Sequence, residues 1–149
     1  MLHERQKEAT CAVQALNNAA GVRLITINDA HAAAQKLNEH LGIHRHGDAS
    51  GNFSVASMQT ALQARHGRHY VLRHIKRLTE SKARKWLQKQ QHGRFVAMEY
   101  NAIKDSYHWI AVHAQPDKQV VIDGALKHPF KLSTMKESKV ITKVYRLES

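Results

Sequence analysis

Cys11 is the only cysteine among 149 residues. It opens a segment, Thr10 to Ala20, in which Ala12, Val13, Ala15, Leu16 and Ala19 recur at helical spacing, with Thr10 suited to cap the start and Gly21 to end it. A thiol in the first turn of a helix lies beside unpaired backbone N–H groups and the positive end of the dipole, which favour the thiolate. A thiolate that cleaves an amide also needs an imidazole to pair with it and protonate the leaving amine, and a third group to hold that ring. His108 opens one strand-like run, His108 to His113, and Asp123 closes the next, Gln119 to Asp123. A hairpin turning near Pro116-Asp117-Lys118 sets the two runs side by side and brings His108 toward Asp123. Each residue alone also has a structural reading. A lone helical cysteine commonly packs in a core, His108 is one of twelve histidines, and Asp123-Gly124 is a common turn pair.

The elements that must position these residues change character along the chain. Asn28-Asp29 opens a second helix running to about Leu41, with Ala30, Ala33, Ala34, Leu37 and Leu41 at helical spacing; Gly42 to Asn52 reads as a loop. Ser54 caps a third helix, where Val55, Met58, Ala61 and Leu62 repeat at three and four. Tyr70 to Ile75 then reads as a strand, and Glu80 to Gln91 as a basic helix burying Trp86 and Leu87. Arg94 to Tyr100, His108 to His113, Gln119 to Asp123 and Val140 to Leu147 are strand-like. Helices first and strands later predict an α+β fold, N-terminal helices packed on a C-terminal antiparallel sheet. With 7 Gly, 2 Pro and no repeat there is no linker to divide the chain, so one domain spanning 1–149 is expected.

Composition limits the function classes. At 42% hydrophobic and 23% charged the chain reads as globular, and no apolar run approaches the roughly 18 residues of a membrane span. Met1-Leu2-His3-Glu4-Arg5 lacks the apolar core of a signal peptide, so an intracellular address is expected: cytoplasm or nucleus, or the host cytosol for a protein of a virus or pathogen. One cysteine excludes an intrachain disulfide and a thiolate-rich zinc site. His40, His44 and His46 with Asp48 are a weak metal candidate, because Gly42 interrupts the helix that would align them, and no metal or cofactor is expected. The formal charge of +11 predicts attraction to anions: nucleic acid, an anionic membrane surface or an acidic protein. Arg65-His66-Gly67-Arg68-His69, Arg73 to Arg77, and Lys82, Arg84, Lys85 and Lys89 could engage phosphates, although a solvated face accounts for them too, since only Tyr70 and Trp86 offer rings for stacking.

Three blocks of sequence then carry a resemblance. His3-Glu4-Arg5-Gln6, Cys11-Ala12 and Ala15-Leu16-Asn17-Asn18 form the first. Gly51-Asn52-Phe53-Ser54 with Ala61-Leu62-Gln63 is the second, and His108-Trp109 with Asp123 fifteen residues on is the third. In this order they resemble the Josephin family of papain-like cysteine deubiquitinases over Leu2 to about Leu126. The resemblance implies a papain-like fold in which Cys11 is the nucleophile, His108 the general base and acid, and Asp123 the group that orients the imidazole. Gln6 would donate its side-chain amide to an oxyanion hole beside the Cys11 N–H. Asn17 and Asn18 would buttress the helix end, and Trp109 would shield the histidine or pack beneath it. Gly124 stands where the family usually has Ser. The expected activity is hydrolysis of the bond after the C-terminal Gly of ubiquitin or a ubiquitin-like modifier, by a monomer whose partners are the conjugates. The alternatives are a papain-like protease acting on a peptide or polyprotein junction, and a basic module that binds nucleic acid or an acidic partner without catalysis.

Overall fold

The computed structural model describes residues 11–41, 54–126 and 128–149, apart from the side chains of His40, Leu41 and Glu80. It is a mixed α/β structure built on one six-stranded antiparallel sheet. Three helices come first: α1 (Cys11–Ala20), α2 (Ile27–Leu41) and α3 (Val55–His66). Strand β1 (Val71–His74) and helix α4 (Glu80–Gln88) follow. The chain then runs through β2 (Gly93–Asn101), β3 (Ser106–Gln115), β4 (Lys118–Ile122), β5 (Phe130–Lys131), a short 3₁₀ turn at Leu132–Thr134, and β6 (Lys139–Glu148). The strand order is β1-β6-β2-β3-β4-β5, so the last strand inserts beside β2 near the centre.

Alternation along β2 and β3 divides the core between the two faces of the sheet. Val96, Trp109 and Ala111 pack with α1, α2 and α3, whereas Phe95, Ala97, Ile110 and Val112 pack with Ala83 and Leu87 of α4. Helix α1 presents Ala12, Val13, Ala15, Leu16 and Ala19 to the core, all nearly inaccessible to solvent. Three alanines among these five let its backbone approach the sheet closely, and that approach decides where its N-terminus lies. The other face is sealed by Leu132 and Met135 around the 3₁₀ turn, with Trp86 set edge-on to Phe95 at 5.6 Å between centroids.

The local stops and starts have identifiable causes. Gly21, at φ +75°, ends α1 with its N–H on the Asn17 carbonyl, a left-handed cap that glycine adopts without strain. Helix α2 begins one residue before Asn28, because Thr26 and Asp29 exchange hydrogen bonds: the Thr26 N–H donates to Asp29 Oδ2 (2.8 Å) and the Asp29 N–H to Thr26 Oγ1 (3.1 Å). Ser54 caps α3 by accepting the Ser57 N–H at 3.1 Å. Helix α4 stops at Gln88, three residues short of the expected Gln91. Thr10, the cap expected for α1, and the loop expected over Gly42 to Asn52 lie outside the described residues.

Asn17 fastens the segment after α1. Its Oδ1 accepts the N–H groups of Leu24 (2.8 Å) and Ile25 (3.2 Å), and its Nδ2 donates to the Ile25 carbonyl (2.9 Å). Asn17→Ala deletes all three and leaves two partly buried amides to find water. It is expected to lower unfolding free energy by roughly 2–3 kcal/mol, read as a lower urea midpoint at unchanged slope.

Candidate active site

The candidate residues converge where β3 begins and β4 ends. His108 is the third residue of β3, and Asp123 follows β4 directly. The hairpin between these strands turns at Pro116-Asp117, and its pairing runs from Gln115↔Lys118 to Ala111↔Ile122, which brings the start of one strand to the end of the other. His108 Nε2 lies 2.5 Å from Asp123 Oδ1. The same oxygen accepts the Ala125 N–H at 2.9 Å, and the Asp123 carbonyl accepts the Leu126 N–H at 3.0 Å, so the turn after β4 fixes the carboxylate before the imidazole reaches it. Asp123 is 6% exposed and shielded from water; the His108 side chain keeps 24% of its surface.

Cys11 begins α1, half-buried, and lies close enough to His108 to act on its protonation. One ring thus sits on a buried carboxylate and within electrostatic reach of a helix-terminal thiol. The other end of α1 is tied to the same sheet. His113 on β3 donates from Nε2 to the Asn18 carbonyl at 2.8 Å, and the Arg94 guanidinium on β2 donates to the Ala19 and Ala20 carbonyls. Near its start, α1 packs against the turn after Asp123: a Cβ built on Gly124 would stand 3.0 Å from Gln14 Cδ and 3.2 Å from Gln14 Cβ. Glycine at 124 therefore permits the approach that a serine there would push back.

Electrostatics favour the charged ring. Burial is the largest single influence on His108 and disfavours the imidazolium; the hydrogen bond it donates to Asp123 and the negative charges of Asp123 and Cys11 outweigh it and raise its pKa to about 10. On Asp123 burial again acts against the charge, but the His108 bond, the Ala125 N–H and the nearby charges of His108 and Lys139 hold the carboxyl below its ordinary range. The two partners shift in the complementary directions that an ion pair requires.

Glu99 has no counterpart in the sequence reading. It lies opposite His108 in the β2–β3 ladder, 3% exposed, with Oε1 3.6 Å from Lys139 Nζ on β6. Burial raises its pKa, opposed first by Lys139 and then by His108. A groove of about 460 Å³ opens beside these groups, with Lys104, Tyr107, Leu126 and Lys139 among its lining residues. Trp109 is 7% exposed and packs in the helix-side core near Tyr145, ring centroids 5.9 Å apart.

The remaining candidates separate from this centre. Gln6 lies outside the described residues, as do His44, His46 and Asp48, and the His40 side chain is not described. Among the described residues no group of three or more His, Cys, Asp or Glu side chains is placed to hold a metal ion, and no helix is long and apolar enough to cross a membrane. The basic runs are partly consumed internally: Arg65 pairs with Asp29 and Arg73 with Glu148, each at 2.9 Å, while Arg84 donates to the Leu132 carbonyl at 3.1 Å. Arg68, Lys76, Arg77, Lys82, Lys85 and Lys89 remain exposed. In comparisons with known proteins, no family model matches the chain and no curated protein matches it.

The His108 value sets a pH dependence. Because it lies above the ordinary 6.5, the stability contributed by the charged ring is full below about pH 6.5 and is lost as pH rises toward about 10. For Asp123, shifted down, the contribution is present above about pH 3.9 and is lost as pH falls through its lowered value. Imidazole NMR is expected to show His108 protonated through neutral pH with a midpoint of about 10. A midpoint near 6.5 would show that Asp123 and Cys11 do not hold its proton.

Proposed function

We propose that the protein is a cysteine-type deubiquitinase or isopeptidase of papain-like, Josephin-type architecture, hydrolysing the bond after the C-terminal Gly of ubiquitin or a ubiquitin-like modifier. The observation that carries this reading is the His108 imidazole held on the buried Asp123 carboxylate, with Cys11 at the start of α1 close enough to raise its pKa. Neither a core cysteine nor a turn aspartate accounts for that arrangement, whereas a nucleophile, a base and an orienting acid do. The three sequence blocks, in their order, supply the modifier specificity of the proposal. A place in the cytoplasm or nucleus, where conjugates occur, goes with it.

In this reaction the Cys11 thiolate attacks the scissile carbonyl carbon, and the negative charge passes to the carbonyl oxygen. The Cys11 backbone N–H, at the start of α1, and the Gln6 side-chain amide would receive that charge. The C–N bond breaks as the His108 imidazolium gives its proton to the leaving amine, and a thioester to Cys11 remains. Neutral His108 then takes a proton from water, whose oxygen attacks the thioester carbonyl and releases the modifier's carboxylate. Asp123 holds the ring in place throughout, and its charge favours the imidazolium in both half-reactions.

The groove favours a second reading of the substrate. Its two acids, Glu99 and Asp123, are both buried, and Lys104 and Lys139 lie with them in its lining. Among the described residues, the Arg-containing tail of ubiquitin would meet no exposed carboxylate lining that groove, while an acidic peptide or polyprotein junction would meet lysines.

A ubiquitin probe carrying a C-terminal electrophile is expected to label the wild-type protein and not Cys11→Ala, and His108→Ala is expected to cost roughly 10²–10⁴-fold in kcat/KM. No labelling by ubiquitin or by a panel of ubiquitin-like probes would exclude a modifier protease. Cleavage confined to acidic members of a peptide library would then select the second reading, and labelling retained in Cys11→Ala would overturn the assignment of the nucleophile.

A further inference from the structure

A carboxylate as buried as that of Glu99 is costly unless its oxygens are satisfied. Only half of this one is. Oε1 has Lys139 at 3.6 Å, whereas Oε2 is inaccessible to solvent and has no hydrogen-bond partner among the described residues. The buried core residues of β2, Phe95 to Ala97, are apolar, so Glu99 is the one buried charge on that strand among the described residues. The local backbone is also specialised. The β2–β6 register slips between Met98, opposite Lys143, and Glu99, opposite Ile141, leaving Thr142 without an opposite residue and its hydroxyl on the Met98 carbonyl at 3.2 Å. A bulge of this kind re-aims the residues beyond it. Here those residues are Glu99 on one strand and, two pairs further along, Lys139 opposite Asn101 on the other.

The charged and titratable groups around His108 are Cys11 from α1, Glu99 across from it on β2, Asp123 after β4 and Lys139 from β6, with Lys104 and Tyr107 around the groove. Lys139 is the awkward member. Its charge reaches both Asp123 and Glu99, and left alone it would compete with the imidazolium for the Asp123 carboxylate. We propose that Glu99 is a positioning residue: its ionised carboxylate, fixed opposite His108 by the β2–β3 ladder, cancels the charge of Lys139 and so sustains the imidazolium that Asp123 and Cys11 create. This deepens the catalytic reading of His108 and rests on it for its consequence to turnover, but not for the electrostatic coupling itself. Burial and the charge of Asp123 raise the Glu99 pKa, Lys139 and His108 oppose them, and the attraction of His108 for the carboxylate is the reciprocal of the support an ionised Glu99 gives the ring.

The test is the His108 midpoint, followed by imidazole NMR in wild type, Glu99→Gln and the double variant Glu99→Gln/Lys139→Met. Glu99→Gln keeps the side-chain shape, removes one attraction and leaves Lys139 uncompensated; the midpoint is expected to fall by about one pH unit, and the alkaline limb of kcat/KM to fall with it. The double variant removes both charges and is expected to return most of the shift. A midpoint unmoved in Glu99→Gln, or a double variant no different from it, would overturn the proposal. So would a uniform loss of activity with no movement in pH, which is what a merely structural role predicts. A readout on the unaltered protein guards against variants that fail to fold: ¹³C titration of the Glu99 carboxyl is expected to show it ionised at neutral pH, and a carboxyl protonated there would overturn the proposal as well. Should the His108 midpoint move as expected in a protein that cleaves neither modifier nor peptide, the coupling stands and the hydrolase reading falls.

Discussion

The close docking of α1 on β2 and β3 is the constraint on which the rest of the structure depends. An α-helix adjusts little along its length, so fixing both ends fixes the first residue. The C-terminal carbonyls of α1 accept from Arg94 and His113, two side chains on adjacent strands of the sheet. The alanines of its inner face let it settle low on that sheet, and Gly124 leaves room for Gln14 near its start. Carbonyls at a helix end need partners in any case. By taking them from the strands that also carry His108, the molecule turns an obligatory hydrogen-bonding requirement into a ruler that sets Cys11 against the imidazole.

Around that ruler the sheet end concentrates charge, and it does so in balanced pairs. His108 and Asp123 form one, Lys139 and Glu99 the other, and both are largely withdrawn from water. Coulombic effects are stronger there than at the surface, so leaving out one member is felt by the remaining three. This is why the pKa of His108 cannot be understood from Asp123 alone. The desolvation that ought to neutralise the ring is overcome only because two negative partners converge on it, and a second cation stands nearby with an acid of its own.

Much of this was legible in the residues, for definite reasons. Helix and strand periods marked α1, α3 and the four long strands, and Pro116-Asp117 marked the hairpin that brings His108 to Asp123. The start of α2 was misjudged because Asp29 looks like an opening residue, whereas it serves as the third position of a cap begun by Thr26. Strand β5 escaped notice because two residues, Phe130 and Lys131, carry no period; their pairing with β4 alone defines them. Glu99 was invisible for a deeper reason. Nothing near it in the chain resembles a motif, and its importance comes from a cross-strand register and a bulge, which are long-range facts. The oxyanion candidate Gln6 and the histidines of the Gly42 to Asn52 stretch lie outside the described residues, so their reading still rests on the sequence alone.

The excess of positive charge takes on a different meaning once the side chains are placed. Read as composition, +11 suggests a surface seeking anions. In the fold, guanidinium groups are spent as connectors: Arg65 joins α3 to the start of α2, Arg73 joins β1 to the end of β6, Arg84 joins α4 to the 3₁₀ turn, and Arg94 closes α1. A planar fork of donors suits carboxylates and exposed carbonyls, which a lysine would meet as a point charge. The lysines divide differently. Lys82 and Lys85 stand exposed on α4 and Lys89 just past its end, while Lys104 and Lys139 stand with the two buried acids beside His108. The chain has few acids, and those nearest the imidazole are committed inward to His108 and Lys139. The charge beside His108 is therefore set by which acids the fold turns inward, a property that the net charge of the chain does not convey.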